Sequence, residues 1–383
     1  MTDNQKNTLP KNWELKTLGE VCEIFYGKGL STQNLKSEGF PVFGANGIIG
    51  FYDKFLFEES KVLISCRGAY SGKINFSPEK CHITNNSLIV DVLDNNKLDK
   101  YFLYYSLQIA NKAQLVTGSA QPQVTINNAT DLQIPLPPLP EQQKIVQKIE
   151  SLFTELETGT KALKRALNQL KIYRQAVLNH FLKDESWEVV RLKEVNLFIT
   201  DGDHQAPPKA DVGIPFVVIS NIKNNKLDLS KTRFVSEEYY ENLSEYRKAK
   251  KGDILYTVTG SYGIPVLLIS DEKFCFQRHI GLLKPDTDRV SKEYLLYCLL
   301  SQNVFNQATK VATGTAQLTV PLSGLRNIKI PLPPLEIQTQ IVAEIEKRMV
   351  AADALEASLK SQLINAENLR QSILKRAFEG KLV

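Results

Sequence analysis

The sequence predicts an α+β protein: two mixed α/β domains in tandem, separated by two long helices that form an antiparallel coiled coil with pseudo-twofold symmetry. Three observations predict it. First, "IPLPPL" stands at 134–139 and again at 330–335, an offset of 330 − 134 = 196. The match extends without a gap: Thr117-Gly118-Ser119-Ala120-Gln121 falls on Thr313-Gly314-Thr315-Ala316-Gln317, and Arg174-Gln175 on Arg370-Gln371. Second, "NWELKTLGEV" (12–21) echoes "SWEVVRLKEV" (186–195), Trp13 on Trp187, at an offset of 174. The halves thus differ by 196 − 174 = 22 residues, inserted inside the second. Third, a long proline-free stretch with a regular apolar stripe follows each "IPLPPL". A repeat at this scale is read first because it decides the fold.

The elements follow in order. Residues 1–140 form the first domain. "KVLISCRG" (61–68) and "NSLIVDVL" (86–93) are short β-branched runs bounded by Gly and Asn, hence strands. A helix is expected over 99–110. Residues 141–183 form the first long helix. Pro137, Pro138 and Pro140 block helix before 141, because proline fixes φ and restricts its predecessor. Apolar residues then fall at Ile145, Ile149, Leu152, Leu156, Leu163, Leu170, Tyr173 and Val177. This alternation of four and three is a coiled-coil seam. Gly159 and Ala166 are small seam positions that invite close approach of a partner backbone. Residues 184–335 repeat the first plan, with "GIPF" (213–216) on "GFPV" (39–42), strands at 253–260 and 279–285, and "EYLLYCLL" (293–300) on "KYFLYYSL" (100–107). Residues 336–383 form the second long helix, with seam residues Ile341, Ile345, Ala352, Leu355, Leu359, Ala366, Leu369 and Ile373. Each helix of about 40 residues is about 60 Å long at 1.5 Å per residue. Two sticky stripes in one chain pair most economically with each other. The shared ends and diverged middles describe one scaffold carrying two different surfaces.

Composition narrows the class. The 383 residues are 43% hydrophobic, enough for two domains with cores of their own. A net charge of +5 leans toward a polyanionic partner without requiring one. The first residues lack an apolar segment and no run of eighteen apolar residues occurs, so neither a signal peptide nor a membrane span is expected. Cys22, Cys66, Cys81, Cys275 and Cys298 are odd in number and scattered, as reduced thiols of a cytoplasmic protein are. Catalytic signatures are missing. The nearest approach to a phosphate-binding loop, Gly68 to Gly72-Lys73, is one residue short and followed by Ile74. No [DNS]-P-P-[YF] stretch occurs. Asp53 with Glu59-Ser60-Lys61 has a nuclease-like look that arises readily by chance. His82, His180, His204 and His279 are too dispersed for a metal site. Pseudo-twofold symmetry with two unlike domains suits a split, asymmetric duplex target, since the DNA backbone has that symmetry itself.

The doubled "IPLPPL" with its long helix, "FGANGIIGFYDK" (43–54), "ISCRGAYSGKI" (64–74), "FCFQRHIGLLKP" (274–285) and "LKRAFEGKLV" (374–383) resemble the specificity subunits of type I restriction–modification systems. The resemblance covers essentially the whole chain. It implies a non-catalytic subunit whose two target-recognition domains each read one half of a bipartite DNA target. The helices would set the spacer and dock two modification (methyltransferase) subunits, and restriction subunits would join them. It implies no cofactor on this chain, with S-adenosylmethionine on the methyltransferase subunits and ATP and magnesium on the restriction subunits. The competing expectations are a coiled-coil adaptor without nucleic acid and a self-contained enzyme. One departure is Pro140-Glu141-Gln142 against Glu336-Ile337-Gln338, which questions whether both helix starts make the same contacts.

Direct readout needs planar donors and acceptors: Arg for guanine, Asn or Gln for adenine. In the first domain the candidates are Asn46, Arg67, Asn85, Asn86, Ser119, Gln121 and Gln123, with Gly44, Gly47 and Gly68 admitting phosphate. In the second they are His204, Gln205, Ser220, Asn221, Thr259, Ser261, Gln277, Arg278, His279, Thr315 and Gln317. Lys161, Lys164, Arg165, Lys171 and Arg174 on the first helix, and Lys347, Arg348, Lys360, Arg370, Lys375 and Arg376 on the second, make a charged outer face that is ordinarily just solvated.

Overall fold

The computed structural model describes residues 9–110, 112–118, 121–205 and 207–383. The chain divides into two compact units: residues 1–164 with 360–383, and residues 165–359. Each unit contains one globular domain and a portion of both long helices.

In the first unit, Glu14–Thr17 pairs antiparallel with Gln133–Leu136, Leu15 opposite Pro135 and Lys16 opposite Ile134. In the second unit Glu188–Arg191 pairs with Lys329–Leu332 in the same register, Val189 opposite Pro331. The two sequence anchors are therefore the two strands of one ribbon. It ties the start of each domain to its end and delivers the chain to the long helix.

Inside that closure both domains have the same topology. The first holds a four-stranded antiparallel sheet in the order Cys22–Tyr26, Ser87–Val92, Val62–Ser65, Ile74–Phe76. The second repeats it with Asn196–Asp201, Ile280–Pro285, Ile254–Thr257 and Pro265–Leu267. A three-stranded sheet centres on Phe40–Phe43 in the first domain and Ile214–Val217 in the second. Each centre strand has one antiparallel neighbour (Ile48–Tyr52; Arg233–Val235) and one parallel neighbour (His82–Ile83; Cys275–Phe276). The extra residues of the second domain form a small ribbon, Ile222–Lys223 with Lys226–Leu227, and a short helix, Glu237–Glu241.

The long helices run Leu139–Phe181 and Leu335–Phe378, starting earlier than the prolines suggest. Pro140 sits in the first turn, where its missing N–H would have had no partner. The first core joins Trp13, Leu18, Phe102 and Ile134 to Ile145, Ile149 and Phe153 of the first helix and Ile373 and Phe378 near the end of the second. The start of one helix thus packs beside the end of the other, antiparallel. The second core makes the matching set from Val190, Tyr294 and Ile330, Val177 and Leu178, and Ile341 and Ile345. Burying one such side chain completely is worth about 1.5–3 kcal/mol, so these cores hold helix to domain.

The seam departs from expectation in places. Tyr173, Leu355 and Leu369 are exposed. Gly159 has nothing within 4 Å of where a side chain would start. Instead of drawing a backbone close, it opens an apolar groove of about 770 Å3 in the first unit, with Leu156, Leu163, Ala366 and Ile373 among its walls. Arg174, Arg348 and Arg370 are not on a solvated outer face. Arg370 lies 4.0 Å over the Phe153 ring, and Arg348 lies 4.6 Å over Phe181. Arg174, the repeat partner of Arg370, donates to the sulfur of Met349 (3.7 Å), the repeat partner of Phe153, and to Asp353 (2.6 Å) and Glu356 (3.0 Å).

The helix starts resolve the one departure in the repeat. Gln142 is fully buried: its Oε1 accepts from the Asp99 amide (2.9 Å) and its Nε2 donates to the carbonyls of Lys97 and Pro137 (both 2.8 Å). Gln338 does the same with the Ser291 amide (2.8 Å), Arg289 (3.0 Å) and Pro333 (2.9 Å). Asp99 and Ser291 cap the helices Lys100–Gln108 and Lys292–Leu300. What differs is the residue before. Glu141 accepts from the Trp13 indole (2.9 Å) and the Asn12 amide (2.9 Å), whereas Ile337 packs on the apolar core that Trp187 also covers. All five cysteines are free and buried, and burial pushes the Cys22, Cys275 and Cys298 thiols up to about 12.

Gln142→Ala removes the partner of the fully buried Pro137 carbonyl and of the half-buried Asp99 amide and Lys97 carbonyl. Each such group costs about 1–3 kcal/mol, so a loss of roughly 2–4 kcal/mol is expected in chemical denaturation. Gln338→Ala is expected to cost the same, which tests the equivalence of the two clamps.

Candidate nucleic-acid interface

Three loops meet at one edge of the first domain. The segment after Val62–Ser65 carries Arg67 and Gly68, the segment after His82–Ile83 carries Asn85 and Asn86, and Thr117 and Gln123 pair beside them. Backbone bonds fix the meeting: Cys66 N–H donates to the Asn86 carbonyl (3.0 Å), Val124 N–H to Cys66 (3.0 Å), and Thr117 and Gln123 exchange both bonds (2.9 Å). The second domain makes the same bonds with other residues. Val258 N–H donates to His279 (2.9 Å), Val320 N–H to Val258 (2.7 Å), and Thr313 pairs with Thr319 (2.9 and 2.8 Å). A fourth loop completes each edge, through Lys28 N–H to Ile83 (2.9 Å) in one domain and Asp203 N–H to Phe276 (2.8 Å) in the other.

These bonds superimpose the domains residue by residue. Arg67 stands where Thr259 stands, Gly68 where Gly260 does, Asn85 where Arg278 does, and Asn86 where His279 does. The frame is common and the side chains on it differ.

Most candidates sit on this edge. Arg67, Gly68, Asn85, Gln121 and Gln123 are exposed and Asn86 is half-buried. Gly68 has φ +75° and open space around it, a conformation and clearance that suit glycine. Asn46 is exposed on the turn between Phe40–Phe43 and Ile48–Tyr52, and its side-chain Oδ1 accepts from Lys73 Nζ. Ser119 lies outside the described residues. In the second domain Gln205, Ser220, Ser261, Thr315 and Gln317 are exposed. A notch of about 250 Å3 brings together Asp201, His204, Thr259, Arg278, His279 and Thr319. His204 Nε2 stands 3.1 Å from the Asp201 carboxylate. The Gln277 amide meets His279 Nδ1, and burial together with the neighbouring Arg278 lowers the His279 pKa, favouring a neutral ring.

Two candidates belong to the frame. Asn221 is buried; its Oδ1 accepts from Val218 N–H (2.9 Å) and its amide donates to the carbonyls of Asp228 (3.1 Å) and Lys231 (3.2 Å). Three of its four possible hydrogen bonds close a loop, and its burial turns it away from a base. Thr259 is buried too, and its hydroxyl accepts from Thr319 Oγ1 (3.2 Å).

Sequence reasoning missed other frame residues. A side chain on Gly27 would strike the carbonyls of Ile83 and Thr84, and one on Gly202 the carbonyl of Phe276. The pair lies at an offset of 202 − 27 = 175, one more than the Trp13–Trp187 alignment, so that alignment finds them only with a one-residue gap, which the bulge at Asn196–Phe198 supplies. Buried Asp203 takes a 2.7 Å bond from Arg247, which fixes the loop before His204. Arg247 lies in the inserted segment, where no repeat signal reaches.

The fold and this edge define a duplicated protein that presents different side chains on one repeated frame. The family model of the type I restriction modification DNA specificity domain matches residues 10–165 and 184–365, and the chain belongs to that family. It is 25% identical to the type I restriction enzyme MjaVIII specificity subunit of Methanocaldococcus jannaschii, over 98% of this chain and 94% of that protein. It is 28% identical to the EcoKI specificity subunit of Escherichia coli K12, over 98% and 90%. A chain solved in a study of complex assembly and conformational transition of the type I R-M system shares the fold, with a TM-score of 0.75 at 22% identity over 98% of this chain and 99% of that one. The HsdS subunit from Thermoanaerobacter tengcongensis gives 0.56 at 22% identity over 98% of each.

Arg278 is exposed and Asn221 is a buried clamp, so the two should part in denaturation. Asn221→Ala is expected to lower stability by about 2–4 kcal/mol. Arg278→Ala is expected to stay within about 0.5 kcal/mol of the parent.

Proposed function

We infer that this chain is the specificity subunit of a type I restriction–modification complex. It recognises a bipartite, asymmetric duplex DNA target and docks modification and restriction subunits, without catalysis of its own. The observation that carries this reading is the repeated frame. Identical backbone bonds hold the reading loops in both domains, while Arg67, Asn85 and Asn86 are replaced by Thr259, Arg278 and His279. One scaffold with two side-chain sets is what reading two different half-sites requires, because sequence is read by donor and acceptor pattern while the scaffold fixes register.

In the first domain, Arg67 offers donors suited to guanine, and Asn85, Asn86, Gln121 and Gln123 offer the paired donor and acceptor that adenine takes. In the second, Arg278, His204 and His279 line the notch beside the Asp201 carboxylate, and the Gln277 amide meets His279 from beside it. The helical connector would set the unread spacer. Two modification subunits fit the pseudo-twofold repeat, with S-adenosylmethionine on them and ATP and magnesium on the restriction subunits. Among the described residues no helix is long and apolar enough to cross a membrane, and a cytoplasmic location suits a subunit that acts on DNA.

Replacing residues 14–135 by the matching segment of a related subunit is expected to change one half of the methylated target in the host genome and leave the other intact. A change in both halves would overturn the two-reader scheme. Arg278→Ala is expected to cost about 1–3 kcal/mol of discrimination at one base pair, in the other half only, read by competition binding with single-base variants.

A further inference from the structure

The second domain departs from the first at one place on the reading edge. In the first domain, strands Phe40–Phe43 and Ile48–Tyr52 are joined by the tight turn 44–47, closed by Gly44 N–H to the Gly47 carbonyl (2.8 Å). That turn carries Asn46. In the second domain the corresponding strands, Ile214–Val217 and Arg233–Val235, are joined by residues 218–232. The departure point is the same in both: Thr84 N–H donates to Phe43 (2.9 Å) and Gln277 N–H to Val217 (3.1 Å). The inserted ribbon therefore springs from the strand end that touches the reading loop 277–279.

The ribbon is a built element. Asn224 (φ 51°) and Asn225 (φ 58°) form a two-residue turn with both residues left-handed, the geometry that matches strand twist. Buried Ile222 and half-buried Leu227 and Leu229 pack with Val217, Leu255 and Leu282. The three bonds of Asn221 close its base, and Asn225 Nδ2 donates to the Pro265 carbonyl (3.0 Å), just past the reading loop 259–264.

Its outer surface is cationic. Lys223, Lys226 and Lys231 are exposed, and Lys223 stands directly opposite Lys226 across the ribbon. Neither of those two ammonium groups forms an ion pair among the described residues. Like charges directly opposite on paired strands weaken the pairing. The nearby Asp228 carboxylate is held low first by Ser230 and then by Lys223 and Lys231, so two lysines share that one carboxylate and Lys226 is not among them. A facing lysine pair without an ion-pair partner, on a ribbon beside the reading edge, suits an anion.

We propose that the ribbon Ile222–Leu227 is a second DNA contact of this domain, in which Lys223 and Lys226 grip the phosphate backbone flanking its half-site. This rests on the DNA-binding reading above. It makes the two halves unequal in a further respect: the first domain turns back at Gly47, while the second reaches past its half-site. The contact carries no base preference, since phosphate contacts position without reading sequence.

The test uses the full chain assembled with its modification subunits, and duplexes bearing either the methylated target mapped in the host or a scrambled sequence. Affinity is followed across a salt series. The double variant Lys223→Gln/Lys226→Gln is expected to bind both duplexes more weakly, with a log–log salt slope shallower by about 2 at about 0.9 per lost phosphate contact. Lys223→Arg/Lys226→Arg is expected to restore the slope. An unchanged slope in the folded glutamine variant, or an altered base preference, overturns the ribbon contact while leaving the specificity-subunit reading in place. A parent complex with no preference for its mapped target overturns that reading instead, and the ribbon contact with it.

Discussion

Everything in each unit hangs on one two-stranded ribbon. Glu14–Thr17 pairs with Gln133–Leu136, and Glu188–Arg191 with Lys329–Leu332, in one register. Each pairing closes a loop of more than a hundred residues, an entropic cost that grows only slowly with loop length. It also sets where the chain leaves the domain. The strand ends at Leu136 or Leu332 and the helix begins at Leu139 or Leu335. Little slack remains between them, so the direction of the long helix is coupled to the sheet. Gln142 and Gln338 stiffen the joint, each making one hydrogen bond within it and two to the segment that caps a neighbouring helix.

This coupling explains why the ends of the repeat stay alike while the middles diverge. A change at the joint moves a helix relative to a reading edge. A change on the edge alters only what is presented there. The exposed Arg67 and Asn85 are free of the frame, whereas Gly27 and Gly202 cannot acquire a side chain without displacing a carbonyl. The inserted ribbon follows the same logic. It leaves and rejoins the sheet at the strand ends that the first domain connects by a tight turn, so it adds surface without disturbing the joint.

The helical contacts show how a repeat keeps a function while changing its chemistry. Arg370 covers an aromatic ring at Phe153; Arg174 covers a thioether at Met349 and adds two carboxylates. Both arginines hold the two long helices together within their unit. Glu141 and Ile337 are a second case, one hydrogen-bonding a tryptophan indole and the other packing on the core beneath a tryptophan. In both pairs position outlasts mechanism.

The sequence by itself determined the duplication, the tandem order, the two long helices and the edges where candidate residues lie. Those features are written in proline placement, apolar period and a gapless repeat, all local or additive along the chain. Only the tertiary structure decided which polar residues face outward. Asn46 and Asn221 look alike in sequence, each an Asn in a turn-forming stretch. One lies exposed on a turn and the other is buried with three side-chain hydrogen bonds made inside. The difference depends on Asp228 and Lys231, which only the folded ribbon brings to Asn221. Nor could a heptad pattern tell that the seam would open at Gly159 and Leu369. A stripe specifies which face is apolar, but not where along it the facing helix packs and where it leaves a groove.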